Sequence, residues 1–469
     1  MNSKKIFPVL SLFFGLSLVN SGFAQPNQQL THDIFKELIE INTTNSSGNT
    51  TQAAEAMAAR LRAAGFTDKD IFVGGPDPRK GNLVATLRGT GKRKPLLLLA
   101  HLDVVEALRE DWTTDPFKFE EIDGFYYARG ASDDKAMAAI FVANMIRFKQ
   151  EKFTPDRDII LALTADEEGG DFNGVDWLLK NHKELINAEM ALNEGAGGRE
   201  VEGKKIFNGV QLSEKVFQSF KIEVKNRGGH SSMPRKDNAI YRLVKGLDNL
   251  SKFEFPVNLN EGTRVFFDRS SRNETGQLAE DMKEIVKPMP SADAIARLSV
   301  FPNYNATMRT TCVATMISGG HAENALPQTA TATINCRILP GEDPAKIKEM
   351  LVGVFADEGI SVTAIKPAKP SPASPMSTEV FGPIERITQQ MWPGIPVIPI
   401  MSTGATDGAY LRNNGIPTYG VSGIFFDAND IRAHGKDERI RIKSFYDGQE
   451  FLYKVVKEMT QKLTVKRND

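Results

Sequence analysis

Apolar runs and helical segments alternate along the first part of the chain. Four short apolar runs are typical of buried strands: "NLVATL", "PLLLLAHLD", "DIILALTADEE" and "AEMALNEG". The clearest helical segments are "DDKAMAAIFVANMIRFKQ" and the Ala-rich "TTQAAEAMAARLRAAGF", which ends near a glycine. Continuous apolar strands that alternate with helices indicate an α/β fold with a mainly parallel sheet covered on both faces. Sheets of this kind bind ligands beyond the carboxyl ends of their strands.

The pattern changes after residue 213. The strand-like "VFQSFKIEVKN" and the helical "NAIYRLVKGLDNLSKF" are followed by two strands, "TTCVATMISGG" and "TATATINCRILP". A helix, "DPAKIKEMLVGVF", and a strand, "ISVTAIKP", complete the order βαββαβ, which is ferredoxin-like. Residues 256–305 interrupt this unit as an insertion with a helical middle, "QLAEDMKEIVK".

These changes predict the domain boundaries. The Pro-rich stretch 366–375 is typical of a linker, and α/β character returns beyond it. We predict one α/β domain formed by residues 25–213 and 368–469, interrupted by a smaller α+β domain, residues 214–367. The length of 469 residues agrees with this, since it suggests about two or three domains.

The first 24 residues are predicted to be a leader rather than part of the fold. Lys4 and Lys5 precede an apolar run, residues 6–19, and small residues follow before Gln25. This is the pattern of a secretory signal peptide, with cleavage after residue 24. The run is shorter than the ~20 residues that a membrane span needs. We therefore expect a periplasmic or secreted protein without a membrane span after leader removal.

The charge balance and the cysteines narrow the class of partner. The chain has 58 basic and 59 acidic residues and a net charge of -1, so it lacks the basic footprint of a protein that binds nucleic acid or an anionic membrane. This favours a small-molecule or peptide partner. Cys312 and Cys336 lack the CxxC spacing of a zinc ribbon or redox motif. They form a disulfide if their strands pair, and two buried thiols are the alternative.

Acids and histidines lie at or just after the ends of the predicted strands. They are His101 and Asp103 in "HLDVV", Asp133 and Asp134 in "GASDDK", Glu167 and Glu168 in "ADEEGG", Glu194 in "NEG", and His434 in "AHGKDERI". Imidazole and carboxylate together are the ligands of zinc or a similar divalent ion, which also offsets the repulsion between adjacent acids. The HExxH helix and the GxSxG elbow are absent, and "GGREVEGKK" lacks the Ser or Thr that completes a phosphate loop. The sequence therefore favours metal-assisted hydrolysis.

The chain resembles the M20 family of di-zinc exopeptidases and amidohydrolases. The matching motifs cover nearly the whole mature chain in the family's order: "HLDVV", "GASDDK", "ADEEGG", "NEG", "GGHSSMP", "GGHAENALPQTATATINCRI" and "AHGKDERI". The insertion and the "GGHAENALPQ" version are most similar to the branch that contains carboxypeptidase S and the N-fatty-acyl amino acid hydrolases. The resemblance implies a zinc-exopeptidase catalytic domain interrupted by a lid, which also serves for homodimerisation.

The resemblance implies a metal site with two Zn²⁺ per chain, with Co²⁺ or Mn²⁺ as alternatives. His101 and Glu194 would hold one ion, Glu168 and His434 the other, and Asp133 would bridge them. The neighbouring Asp134 is the alternative bridge, which the family pattern disfavours.

The resemblance also implies roles beside the metals. Glu167 would be the general base, and Asp103 would orient His101. Adjacent residues of an extended backbone point to opposite sides, which would separate Glu168 as a ligand from Glu167 as the base.

Three further residues are implied to contact substrate. His230 in the lid would reach the site of a partner subunit and stabilise the oxyanion, unless "GGHSS" is only a capped turn. Arg337 would bind the substrate carboxylate, the alternative being a surface ion pair. Gly404 would lie beside the substrate, while Asp407 in the same loop is expected to be structural.

These inferences lead to an exported zinc exopeptidase that cleaves an amide next to a free carboxylate. An N-acyl amino acid hydrolase is the alternative with the same chemistry, so the expected substrate is a peptide or an N-acyl amino acid. A non-catalytic binding protein is the alternative of a different class, but it predicts loss of the base or a ligand, and all of these residues are present.

Overall fold

The structure is a computed structural model that describes residues 26–461. The predicted leader, residues 1–24, lies outside this range. Among the described residues no helix combines the length and the apolar character needed to cross a bilayer.

The chain up to residue 214 contributes most of the central sheet. Its elements are α1 (Pro26–Glu40), α2 (Thr50–Ala63), β1 (Ile71–Gly74), β2 (Asn82–Leu87), β3 (Leu96–His101), β4 (Glu120–Ile122), β5 (Phe125–Tyr127), α3 (Lys135–Gln150), β6 (Ile159–Thr164), α4 (Gly174–Asn181), α5 (Lys183–Ile186), β7 (Met190–Asn193), β8 (Gly198–Val201) and β9 (Lys204–Glu214).

The middle of the chain forms a second sheet and a group of helices. Its elements are β10 (Val216–Lys225), β11 (Gly229–His230), α6 (Ala239–Lys252), α7 (Glu261–Ser270), α8 (Gly276–Ile285), α9 (Ala292–Ser299), α10 (Pro302–Met308), β12 (Thr311–Gly319), β13 (Ala325–Leu326), β14 (Thr329–Ile338), α11 (Pro344–Phe355) and β15 (Ile360–Ala364).

The last part of the chain returns to the central sheet. Its elements are α12 (Thr378–Met391), β16 (Val397–Ser402), α13 (Gly408–Asn413), β17 (Thr418–Gly420), β18 (Phe425–Asp427), β19 (Arg439–Arg441) and α14 (Ile442–Met459). The domain boundaries at 213/214 and 367/368 remain predictions. Near the first of them, β9 ends at Glu214 and β10 begins at Val216.

The central sheet is mixed and mostly parallel. Its strand order is β1-β2-β6-β3-β7-β17-β9-β8-β18, with β16 beside β9. β3 pairs in parallel with both β6 and β7, and β7 pairs in parallel with β17. β2 is antiparallel to β6, so the run "NLVATL" does not belong to the parallel series that its sequence suggests. The predicted α/β class is confirmed, and the carboxyl ends of β3, β6 and β7 share one edge.

Helices cover both faces of this sheet. Along β3, Leu98 packs into a core with α1, α3, α12 and α14, while Leu97 and Leu99 pack into a core with α4 and α13. Successive side chains of a strand point to opposite faces. Both faces of β3 are therefore buried, which explains its uninterrupted apolar sequence.

The second sheet has the predicted ferredoxin-like arrangement. Its antiparallel order is β12-β14-β10-β15, and α6 and α11 pack on it in one apolar core. Cys312 of β12 lies opposite Cys336 of β14, and the two form a disulfide. Of the two alternatives that the sequence left open, a disulfide or two buried thiols, the structure contains the disulfide. We call this sheet with its two packed helices the lid.

The insertion, residues 256–305, is more ordered than its sequence suggests. The pattern predicted one helical middle, whereas α7, α8 and α9 lie within it and α10 extends past it. These helices enclose a small core that includes Phe267, Met282 and Leu298. Helix α7 packs against β16, so the insertion lies on the central sheet.

Candidate metal centre

His101, the last residue of β3, is oriented for metal binding. Its Nδ1 donates to the main-chain oxygen of Asp103 over 2.9 Å, which turns Nε2 toward Asp133. Nε2 lies 3.0 Å from Oδ1 of Asp133. Two acceptor atoms at this distance repel unless a proton or a metal ion lies between them.

Asp133 lies between two histidines. Its Oδ2 is 3.1 Å from Nε2 of His434, and that nitrogen is 2.9 Å from Oε1 of Glu168. Two triads each have ligand atoms within 4.8 Å of one another, and the triads share Asp133: His101, Asp133, Glu194 and Asp133, Glu168, His434. Asp134 occupies the N-cap position of α3, and its side chain does not lie between the histidines. The donors and their grouping fit two divalent ions of the zinc type.

The centre carries more negative charge than its own residues compensate. Burial, with the charges of neighbouring acids, raises the pKa of Glu168 to about 7 and that of Glu167 to about 10. Burial also raises the pKa of Glu194 well above its usual range. Bound cations would supply the missing positive charge and keep these carboxylates ionised.

The acidic triplet 166–168 is divided among three environments. Asp166 adopts a left-handed backbone with φ of 57° and forms a buried ion pair with Lys80, whose Nζ lies 2.5 Å from Oδ1. Glu168 reaches His434, and the side chain of Glu167 makes no hydrogen bond to the described residues. The expected extended backbone is wrong, since the chain bends here after β6 ends at Thr164. The bend separates the three acids.

Asp103 positions the two glutamates through their backbone. Its carboxylate oxygens accept the amides of Glu167 and Glu168 over 3.1 and 3.0 Å. The carboxylate is 3.7 Å from Nδ1 of His101, which hydrogen-bonds the Asp103 carbonyl instead. Asp103 therefore holds His101 with its main chain and the acid pair with its side chain.

Glu438 is a site residue that sequence reasoning missed. The fully buried carboxylate accepts hydrogen bonds from Arg129, from the amides of Gly130 and Asp133, and from both the amide and the hydroxyl of Ser132. These bonds fix the loop that presents Asp133. The only signal in the sequence is its place four residues after His434.

Replacement of Glu438 by Gln should destabilise the fold strongly. The amide nitrogen of Gln would face hydrogen-bond donors and leave Arg129 uncompensated, which costs about 3–5 kcal/mol. Urea denaturation measures this loss. Glu450→Gln is the control, because Glu450 pairs with Arg147 at the surface and should cost less than about 1 kcal/mol. Equal losses in the two variants would contradict the role given to Glu438.

Asp407, expected from the sequence to be structural, lies beside the centre. It is buried and accepts hydrogen bonds from Asn173 over 2.6 Å and Thr164 over 3.3 Å. Burial, together with the charge of Asp103, raises its pKa to about 7. Its own charge contributes to the high pKa of Glu167. Asp407 thus takes part in the electrostatics of the site.

His230 is not brought to the metal centre within one chain. It is exposed on β11, where its Nδ1 lies 2.7 Å from the hydroxyl of Ser232 and accepts from the amide of Ser232 over 3.2 Å. Within residues 26–461 its ring has no hydrogen bond to a candidate ligand. Locally the structure shows a capped turn, and the role toward a partner subunit stays a prediction.

Arg337 lies where the lid approaches the central sheet, near the loop that contains Gly404. The Arg337 guanidinium lies over the ring of Phe217 and donates to the Thr403 carbonyl over 3.2 Å. It forms no ion pair with a described acid. The amide of Gly404 donates to the hydroxyl of Ser402 over 3.0 Å. Arg337 therefore remains available to an anionic ligand.

A cavity of about 320 Å³ adjoins the metal centre. Asp133 and Glu194 lie at its boundary, and much of the lining is apolar: Met137, Phe207, Ile400, Ile424 and Phe426. We call it the inner cavity. Its size and lining fit an apolar group held beside the metals.

Known proteins are similar to this chain in sequence and in fold. Residues 97–458 match the profile of Peptidase family M20/M25/M40. The human N-fatty-acyl-amino acid synthase/hydrolase PM20D1 is 26% identical over 96% of this chain and 93% of its own. The probable carboxypeptidase S-like 2 of Dictyostelium discoideum is 29% identical over 78% of this chain and 71% of its own. The solved M20 family metallo-carboxypeptidase Sso-CP2 of Sulfolobus solfataricus superimposes with a TM-score of 0.64 at 19% identity, over 92% of this chain and 99% of that one.

The fold and the site define a metal-dependent hydrolase, and the chain belongs to peptidase family M20/M25/M40. The predicted membership of this family and the prediction of an enzyme are confirmed.

Proposed function

We propose that the protein hydrolyses an amide bond next to a free carboxylate, as an exopeptidase of the carboxypeptidase or dipeptidase type with two Zn²⁺ ions. The observation that carries this proposal is the pair of triads that share Asp133, with the uncommitted carboxylate of Glu167 beside them. A binding protein has no need of a buried base at this position.

The residues of the chain divide the chemistry among them. The two triads would hold two divalent ions, which when bound would supply Lewis acidity and make water a better nucleophile near neutral pH. Glu167 takes a proton from the attacking water, whose oxygen bonds to the amide carbon, and passes that proton to the amine as the C–N bond breaks. Arg337 binds the free carboxylate through its two forked N–H groups. His230 would stabilise the oxyanion in a partner subunit.

The apolar lining of the inner cavity also favours a second candidate, an N-acyl amino acid hydrolase. A hydrocarbon acyl group gains about 25 cal/mol for each Å² removed from water in such a cavity. Among the relatives, PM20D1 is named for N-fatty-acyl amino acids and the Dictyostelium protein for carboxypeptidase S. Both reactions cleave an amide beside a free carboxylate.

A substrate panel separates the two candidates. The chain from Gln25 would be incubated with dipeptides and N-acyl amino acids, with and without a chelator, and the free amino acid quantified. Chelator-sensitive release from dipeptides supports the exopeptidase, and release only from N-acyl amino acids supports the second candidate. No release by a protein that retains two metal ions would overturn both in favour of a binding protein.

We also propose that two copies of the chain pair through the lid. β12 is an edge strand with three exposed apolar side chains, Val313, Met316 and Ile317. An exposed apolar edge of this kind is a template for pairing with another chain. A two-fold axis beside β12 would let the same edge serve both copies.

The double substitution Met316→Lys and Ile317→Lys should convert the dimer to a monomer, because two like charges would face each other across the axis. Light scattering after size exclusion measures the mass. Met289→Lys is the control, since Met289 is equally apolar and exposed but lies in the insertion. A dimer that survives the double substitution, or a wild-type monomer, would refute pairing through β12.

Export is proposed on the leader pattern of residues 1–24, and the disulfide between Cys312 and Cys336 suits an oxidising compartment. Mass spectrometry of the protein from the periplasm or medium should find Gln25 at its amino terminus. Recovery of an uncleaved chain from the cytosol would contradict export.

A further inference from the structure

The stretch "GGREVEGKK", which matched no functional motif, forms the hairpin of β8 and β9. In β8, Glu200 is buried, whereas Arg199 is half-buried and lies on the other side of the strand. Arg199 lines the inner cavity together with the ligands Asp133 and Glu194. The hairpin therefore delivers a guanidinium to the vicinity of the metal centre.

Arg199 also lines a second, larger cavity. This outer cavity has a volume of about 840 Å³ and lies between the central sheet, the lid and the insertion, whose Phe266 and Tyr304 form part of its wall. Arg337 lines it from the lid. The inner and outer cavities share the lining residues Gly195, Arg199, Phe207 and Ile400. A substrate that extends from the metal centre to Arg337 would cross the region that Arg199 lines.

Arg199 has no partner among the described residues that would neutralise it. The other arginines that line the inner cavity, Arg432 and Arg439, each form an ion pair with Asp430 over 2.6 Å. Arg199 forms no ion pair or side-chain hydrogen bond with residues 26–461. A partly dehydrated guanidinium without a partner favours an anionic ligand, and its planar fork matches a carboxylate.

The outer cavity as a whole favours anions. Arg199 and Arg337 both line this cavity. Among its described lining residues, one side chain is acidic, that of Glu274. Lys215 also lines it, but its ammonium is turned away and donates to the Arg309 carbonyl over 2.7 Å. Two arginines without acidic partners thus remain for the ligand, while one suffices for a single carboxylate.

We propose that Arg199 binds a second carboxylate of the substrate, so that the preferred substrate is an amide of an acidic amino acid. The α-carboxylate lies on Arg337 and the side-chain carboxylate on Arg199, because both arginines line the outer cavity. The acyl or amino-terminal part of the substrate then occupies the inner cavity. This assignment rests on the proposed function and specifies its substrate class.

The test compares N-hexanoyl-L-glutamate with N-hexanoyl-L-glutamine, which has the same shape without the second charge. We expect kcat/KM to favour the glutamate substrate by about 10- to 100-fold, the range of a hydrogen-bonded charge pair. Arg199→Met should remove this preference, and Arg199→Lys should restore part of it. Arg337→Met should instead lower kcat/KM for both substrates. Lys204→Met is the control, because it removes a solvent-exposed charge from the same hairpin.

Equal rates on the two substrates in the wild type, or a preference that survives Arg199→Met, would overturn the proposal. So would a preference for adipoyl-L-glutamine over hexanoyl-L-glutamine that depends on Arg199, since the second carboxylate would then lie on the acyl side. If no amide is cleaved, the proposed function fails. Calorimetry of glutamate and glutamine binding then tests the anion site at Arg199 separately. Tighter binding of glutamate than glutamine, lost in Arg199→Met, supports the anion site, and equal binding refutes it.

Discussion

Replacement of Glu167 by Gln should lower kcat by about 10²–10⁴-fold, the usual contribution of a general base. The amide of Gln fills the same space but accepts no proton from water. Because Glu167 is not a member of either triad, the variant should keep its two metal ions. Steady-state kinetics and metal analysis measure the two effects, and KM should change little.

The neighbours of Glu167 supply matched controls of the same charge. Glu168→Gln removes a member of a triad and should lower the metal content together with activity. Asp166→Asn breaks the buried ion pair with Lys80 and should act mainly on stability. If Glu167→Gln lost metal as Glu168→Gln does, Glu167 would be a ligand rather than the base.

Removal of the metal should abolish hydrolysis and make stability depend on pH. In the metal-free protein the pKa of Glu168 is raised to about 7 and that of Glu167 to about 10, while hydrogen bonds to Asp133 raise the pKa of His434 to about 9. A group with a raised folded pKa stabilises the fold fully below its unfolded pKa, and this contribution is lost as the pH rises through the folded pKa. The stability of the metal-free protein should therefore fall between pH 6 and 9, through Glu167 and His434 over most of that range and through Glu168 up to about pH 7.

The expected loss over that range is on the order of a few kcal/mol, at about 1.4 kcal/mol for each unit of pKa shift of the buried glutamates. The half-exposed His434 contributes less than its shift suggests, because water screens its charge. Thermal unfolding of chelated and metal-loaded protein at several pH values measures it. The loaded protein should show a much flatter profile, since the cations compensate the carboxylates. Zn²⁺, Co²⁺ and Mn²⁺ added back separately would identify the ions that restore activity. A chelated protein that is active, or equally stable at pH 6 and 9, would contradict the metal centre.

The positions of the ligands along the chain were determined by the sequence. In parallel strands buried on both faces, the polar residues follow where the apolar run ends, and those ends share one edge of the sheet. This places His101 at the end of β3, Glu168 after β6 and Glu194 after β7 without any knowledge of distances. The motifs in their order supplied the family and the assignment of Asp133. The lid followed from period-2 alternation and from the order of its elements.

The assembly of the site was decided only by the tertiary structure. His434 meets Asp133 across some 300 residues of chain, and local periodicity carries no information about such a contact. Glu438 looks like a solvated charge in its sequence context, yet the loop around Ser132 surrounds it with donors. The bend that turns Asp166 toward Lys80 depends on a residue 86 positions earlier.

The role of Arg199 also depends on contacts between parts of the chain that are distant in sequence. Its position between two cavities requires the lid, the insertion and the central sheet to be packed together, and each of these has its own local pattern. A sequence pattern reports which face of an element is buried, because burial repeats with the period of the backbone. It does not report which elements pack together. The electrostatic environment of a charged side chain depends on that packing, so the sequence pattern cannot predict it.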